Sequence, residues 1–224
     1  MFNLAQKGQK LLLTGLLVTT SLNVYSSDLS LVMTTKQGSL LRDAVVELKP
    51  IEENLAYNTL AASHGKGLDL VSISQKDKTF IPFVSVVPTG TPIDFPNMDK
   101  TRHHVYSFSP AKTFQLQLYI GKPETPIVFD KAGVVALGCN IHDFMESYVY
   151  VADGPFAENS NLEGVIRFKG VPDGKYEMSF WHPWQDSEEA SQIITVAGKD
   201  LTIQQSMDVY EEEYPTNEGI NDNY

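Results

Sequence analysis

The chain holds one cysteine, Cys139, among its 224 residues. No internal disulfide can staple it, so the fold must rest on a hydrophobic core, which this length and 42% hydrophobic content allow. Basic residues are scarce: Lys and Arg number 17 against 28 Asp and Glu, for a formal net charge of -11 and a pI near 4.8. A basic face able to displace phosphate counterions is therefore lacking, which excludes nucleic acid as a partner. Acidity of this kind keeps a protein soluble and favours cationic partners. Long apolar runs are lacking too, since nothing after the N-terminal segment approaches the ~18 residues of a membrane-spanning helix. Helical periodicity is sparse. Only "EENLAYNTLAA" (52–62) reads as a helix, and its weak pattern leaves a loop open.

What the chain does have begins with an export signature over residues 1–26. Lys7 and Lys10 precede the apolar run "LLLTGLLVTTSL", and "NVYSS" supplies the short residues expected before cleavage after Ser26. The same composition would serve an uncleaved anchor. With the signal removed, the protein is expected to be soluble in the periplasm. A lone thiol in that oxidising compartment is intermolecular, buried or bound to something.

From residue 28 onward the pattern is that of strands. "TFQLQLYI" (113–120) alternates, placing Phe114, Leu116, Leu118 and Ile120 on one face. Similar short runs recur between Gly, Pro, Asp and Asn punctuation, which predicts an all-β sandwich or barrel. The acidic segment "YEEEYPTNEGINDNY" (210–224) has no Lys or Arg and little to bury, and it is expected to be a disordered tail.

Chemistry concentrates in "GCNIHDFMESY" (138–148), where Cys139, His142 and Met145 recur at intervals of three. Thiolate, imidazole and thioether are the donors that copper tolerates together in both oxidation states. One tight loop cannot surround an ion, so a further histidine must come from another strand. "FPNMDKTRHHVYSFS" (95–109) offers His103 and His104, and on a regular strand only one of them faces the loop. Apolar alternation groups His104 with Tyr106 and Phe108, facing inward.

"N97-x5-H103", a strand, and then "GCNIHDFM" before the strand "YVYV" resemble the cupredoxin superfamily, with plastocyanin-like ligand order. More narrowly, the sequence over about 80–183 resembles the exported cupredoxin-domain proteins of the methylamine utilisation type. The resemblance implies a cupredoxin Greek-key β-sandwich holding one copper. His103, Cys139, His142 and Met145 would be the metal ligands, with His104 and Asn140 in the shell behind them. Related sequences carry His-Asn at the 103–104 pair, which favours His103 as ligand. The spacing departs from plastocyanin, because His142 and Met145 are separated by two residues, as in the dinuclear CuA loop. Gly138 stands where CuA needs its second cysteine, so a mononuclear site is the expectation.

"TTKQGSLLRDAVVEL" (34–48) and "GVIRFKGVPDGKYEMSF" (164–180) resemble two halves of a carboxypeptidase-regulatory-like β-sandwich. Residues 28–62 and 155–209 are accordingly expected to form a second small sandwich, with the copper domain (80–153) inserted between them. The cluster "WHPW" (181–184) is expected to pack one unit on the other.

The function expected from these features is single-electron transfer without chemistry on a substrate, and so not an enzyme. The redox partner would be a cytochrome or an oxidoreductase. The alternatives are copper handling as a chaperone, store or sensor; a zinc site with Asp143 or Glu146 as base; and a copper enzyme with His64, His104 and His182 as a second centre. A structural or carbohydrate-binding β protein would use none of these residues for metal.

Overall fold

The computed structural model describes residues 25–187, 190–210 and 212–215. Nearly all of the expected export signal, and residues 211 and 216–224 of the expected tail, lie outside the described residues. Two strands, β1 (Ser26–Thr35) and β2 (Val45–Pro50), precede the helix α1 (Leu55–Ser63). Then follow β3 (Val71–Ser72), β4 (Ser74–Lys76), β5 (Thr79–Ile81), β6 (Val84–Pro88), β7 (Thr91–Asp94), β8 (His103–Ser109) and β9 (Lys112–Tyr119). Next are β10 (Ile127–Phe129), β11 (Gly133–Gly138), β12 (Glu146–Ala152), β13 (Ala157–Asn159) and β14 (Val165–Pro172). The last are β15 (Gly174–Trp181), β16 (Gln192–Val196) and β17 (Leu201–Met207). The fold is all-β apart from this helix, which Asn54 caps by accepting the Tyr57 N–H at 3.1 Å.

Two hydrophobic clusters divide these strands. The sheet β6-β12-β11-β8-β9 faces the smaller sheet β10-β7-β3, and Val105, Val135 and Val149 of the first meet Ile93 and Phe129 of the second. The sheet β14-β1-β17 faces β13-β2-β15-β16, and here Leu29, Leu31, Ile166 and Met207 meet Val46, Leu48, Met178 and Phe180. Each fully buried aliphatic side chain contributes about 1.5–3 kcal/mol relative to exposure. The second cluster draws on both sides of the chain: β2 pairs antiparallel with β15, and β1 with β14.

The clusters meet along a seam. Glu47 of β2 is buried, and its carboxylate accepts the Tyr150 hydroxyl of β12 at 2.9 Å and the Asp153 N–H at 3.1 Å. Trp181 lies 5.7 Å from Tyr148 and Trp184 lies 5.3 Å from Phe83, ring centre to ring centre, so the "WHPW" residues cover the outer side of β12. Tyr214 joins them, 4.5 Å from Trp184 and 5.1 Å from Phe83, with the Arg42 guanidinium stacked on its ring. The expectation that the acidic tail has little to bury is therefore corrected at Tyr214. An aromatic ring stacked on a guanidinium gains contact that a count of its acidic neighbours does not register.

Strict alternation along β9 also fails. The pairing runs His103↔Tyr119 and then Val105↔Leu116, so β9 carries an extra residue opposite His104. Beyond this bulge the faces exchange. Tyr119 turns inward, donating its hydroxyl to the Phe95 carbonyl at 2.5 Å, while Leu118 and Ile120 are left exposed.

Candidate metal centre

β11 ends at Gly138, and the chain turns through residues 139–145 before β12 begins. The Met145 N–H donates to the His142 carbonyl at 3.0 Å, closing a tight turn. This turn brings His142 back on Cys139, with Sγ and Nδ1 3.9 Å apart. Gly138 is paired with Tyr106 of β8, and a Cβ there would sit 2.8 Å from the tyrosine ring. A side chain at 138 would therefore push β11 away from β8.

His103 stands at the start of β8, with no exposed surface, and points into the same space. Ligand atoms of His103, Cys139 and His142 all lie within 4.8 Å of one another, the one such group among the described residues. Cys139 and His103 are buried and His142 is half-buried. Met145, 1% exposed, belongs to the same core cluster as Cys139.

The polar surroundings set the protonation of the three donors. His103 Nε2 lies 2.7 Å from Asp99 Oδ2. A carboxylate only accepts, so Nε2 carries a proton, and Nδ1 is the nitrogen left to face a metal. That Nδ1 is buried and has no hydrogen-bond partner. Burial opposes the His103 imidazolium, but the neighbouring Cys139 and Asp99 outweigh it and raise its pKa above the ordinary value. Burial likewise opposes the Cys139 thiolate, yet His103 and the backbone N–H groups of His104 and Ile141 hold the thiol below its usual range. His142 is pushed down by burial, then by the charges of His103 and Lys78. A thiol biased toward thiolate, a neutral imidazole and an orphaned buried nitrogen form the donor set that a soft or borderline metal ion takes.

The remaining expected residues fall into place as follows. His104 lies on the opposite face of β8 from His103, in a ring ladder with Tyr106 and Phe108. That grouping follows the alternation, but on the face away from Val105: His104 is buried at 3% without joining the donor group, and the inward orientation expected for the three is corrected at Phe108, which is 74% exposed. The core side of β8 is taken by His103, Val105 and Ser107, each 0% exposed. The His104 side chain accepts from the Gln115 amide at 2.7 Å, and its route to the site is the backbone N–H on Cys139. Asn140 is exposed, as is Asp143, while Glu146 is half-buried and accepts the Tyr148 hydroxyl at 3.3 Å.

His182 donates Nε2–H to the Arg42 carbonyl at 3.2 Å and accepts the Trp184 N–H on Nδ1 at 3.1 Å, so both nitrogens are in use. Burial pushes its pKa down to about 4. His64 caps α1 at its C-terminal end. Among the described residues, His64, His104 and His182 form no metal-binding group.

Asp99 escaped the sequence reading. Its carboxylate accepts N–H groups from Asp77 at 2.7 Å and Lys78 at 3.0 Å, at the tip of the β4–β5 hairpin. The one local signal was an acid four residues before His103.

No family model matches the chain, and no curated protein matches it. Among solved structures, it is similar to a copper-containing nitrite reductase from Thermus scotoductus, with 21% identity over 46% of this chain and a TM-score of 0.35. It spans 25% of that reductase. A purple cupredoxin from Nitrosopumilus maritimus is 20% identical over 37% of this chain and 99% of its own, with a TM-score of 0.33. Amicyanin from Paracoccus versutus is 16% identical over 47% of this chain and 97% of its own, with a TM-score of 0.32. These likenesses are partial and low in identity, and the donor geometry stands independently of them. No helix among the described residues is long and apolar enough to cross a membrane.

Proposed function

We propose that the chain is an exported protein of cupredoxin type that holds one copper ion and carries single electrons between redox partners. The observation that supports this reading is the convergence of two imidazoles and one thiol within 4.8 Å, with a buried methionine in the same core cluster. His103, Cys139 and His142 would be the strong ligands and Met145 a weak one. Copper in such a site supplies a one-electron couple whose two states prefer different geometries, and a site held between them lowers the cost of switching.

The chain's own residues do the holding. Asp99 orients the His103 ring, and the backbone N–H groups of His104 and Ile141 stabilise negative charge on Cys139 sulfur. Cys139, His103 and Met145 are sealed from solvent, and His142 is the donor residue nearest to it. Ile141 beside His142 is exposed and gives a docking partner an apolar contact there. The partner, a cytochrome or an oxidoreductase, would dock weakly over a small interface. A sandwich formed from residues 28–62 and 155–209 would carry the copper unit (80–153) as an insertion. The likeness to the methylamine utilisation type describes the sequence and does not identify a pathway.

The test is visible and EPR spectroscopy of the Cu(II)-loaded protein beside Cys139→Ser. An intense thiolate band with narrow copper hyperfine splitting, both lost in the variant, is expected. Uptake only as colourless Cu(I) would replace electron transfer by copper handling. No uptake by either protein would remove the metal from the function.

A further inference from the structure

We infer that Asp99 is the positioning residue that sets the reduction potential of this centre, acting through His103 from the side away from the metal. The inference rests on the copper reading above and extends it to a residue outside the donor set. Its basis is geometric. A ligand histidine gives one nitrogen to the metal, and what its other nitrogen meets fixes the ring and tunes its basicity. Here that partner is a carboxylate 2.7 Å from Nε2, with its side chain 14% exposed and the histidine fully buried.

The carboxylate is itself fixed from several sides. Oδ1 accepts the Asp77 N–H at 2.7 Å, and Oδ2 accepts the Lys78 N–H at 3.0 Å. Consecutive backbone N–H groups converging on one anion form a small cradle. The hairpin reaches this shape with φ of 52° at Asp77 and 57° at Lys78, left-handed values that two-residue hairpin turns use. The Asp99 N–H in turn donates to Asn97 Oδ1 at 2.9 Å. The Asn97 amide donates to the Thr101 and Tyr119 carbonyls at 2.9 and 2.8 Å, tying the segment to the end of β9. Two backbone N–H groups thus hold the carboxylate itself, and three further bonds fix the segment that carries it against the ligand ring.

A full negative charge behind the ring makes the imidazole a stronger donor and favours the more highly charged metal state. In the couple Cu(II) + e⁻ ⇌ Cu(I), the electron comes from the redox partner and no proton moves. Asp99 therefore lowers the potential, whereas a neutral acceptor in its place would leave the ring oriented without that pull.

The experiment compares reduction potentials of the copper-loaded wild type, Asp99→Asn and Asp143→Asn. Asp99→Asn keeps an acceptor and removes the charge. It is expected to raise the potential by about 59 mV or more, a tenfold shift in the one-electron equilibrium, with the thiolate band retained. Asp143→Asn removes an exposed charge from the ligand loop and should shift the potential far less. Equal shifts in the two variants, or no shift in Asp99→Asn, would overturn the inference while leaving the copper reading intact. A wild type without the thiolate band would instead overturn the copper reading, and this inference with it. If Asp99→Asn fails to fold, nitrogen NMR of the wild-type Cu(I) protein decides: His103 must show a protonated, slowly exchanging Nε2, and a protonated Nδ1 would refute the assignment.

Discussion

The two β regions share one architecture and differ in what they bury. Around Leu48 and Met178 the interior is apolar, and buried polar groups such as Glu47, Ser160 and His182 sit at its margins with bonded partners. Around Val135 and Val149 the interior also admits Gln75, Asn97, His103 and Ser107. Burying polar atoms costs free energy unless each finds a partner. The second region leaves several such atoms unpartnered, Gln75 Oε1, Ser85 Oγ, Ser147 Oγ and His104 Nδ1 among them, but only at His103, where the bonds linking Asn97, Asp99 and the ring end at Nδ1, does the residue belong to a group of metal-type donors. One sandwich is thus a plain scaffold, and the other is a scaffold arranged around a site.

The largest effect expected from this contrast is that of Cys139→Ser. It should abolish the thiolate band and weaken copper binding by more than about 100-fold, above what loss of an outer partner costs. Competition with a copper chelator measures this. The reciprocal change, Leu48→Ala in the apolar sandwich, should cost about 2–5 kcal/mol in urea unfolding, with the band unchanged before the transition. If Leu48→Ala bleached the site under native conditions, the two regions would not be separable as function and scaffold.

His182 at the seam gives an intermediate effect with a definite sign. Its pKa is about 4 in the fold against the ordinary 6.5, so the folded state prefers the neutral ring. That contribution is fully present above pH 6.5 and is lost as pH falls toward 4, reaching about 3 kcal/mol. His182→Asn should flatten the difference in denaturation midpoint between pH 7 and pH 4.5. The smallest effect is that of Tyr214→Ala, about 1 kcal/mol for the lost stacking with Arg42, followed by Trp184 fluorescence.

How much of this was legible in the sequence follows from the range of each contact. Cys139, His142 and Met145 lie on one turn, so their convergence shows in a spacing of three. The strands announced themselves by alternation, which fails at β9 because one extra residue exchanges the faces of Leu118 and Tyr119. The likeness of "N97-x5-H103" pointed to His103, where alternation alone favoured its neighbour. Asp99 was hidden because its role depends on the N–H groups of Asp77 and Lys78, which arrive from a separate hairpin. Tyr214 was hidden because its acidic flanks outweigh one aromatic ring in any composition window.

The pairing of β2 with β15 also bears on how the chain reaches its native state. Ser179 and Glu47, joined by a hydrogen bond, are 132 positions apart. Closing so long a loop early loses much chain entropy before any contact rewards it. Formation of the intervening sandwich shortens the effective loop, so the region with the candidate metal centre should acquire its structure first and the outer sheets close over it. Refolding should then show protection of β11 and β12 amides before those of β2 and β15, and copper supplied during refolding should accelerate only the earlier phase.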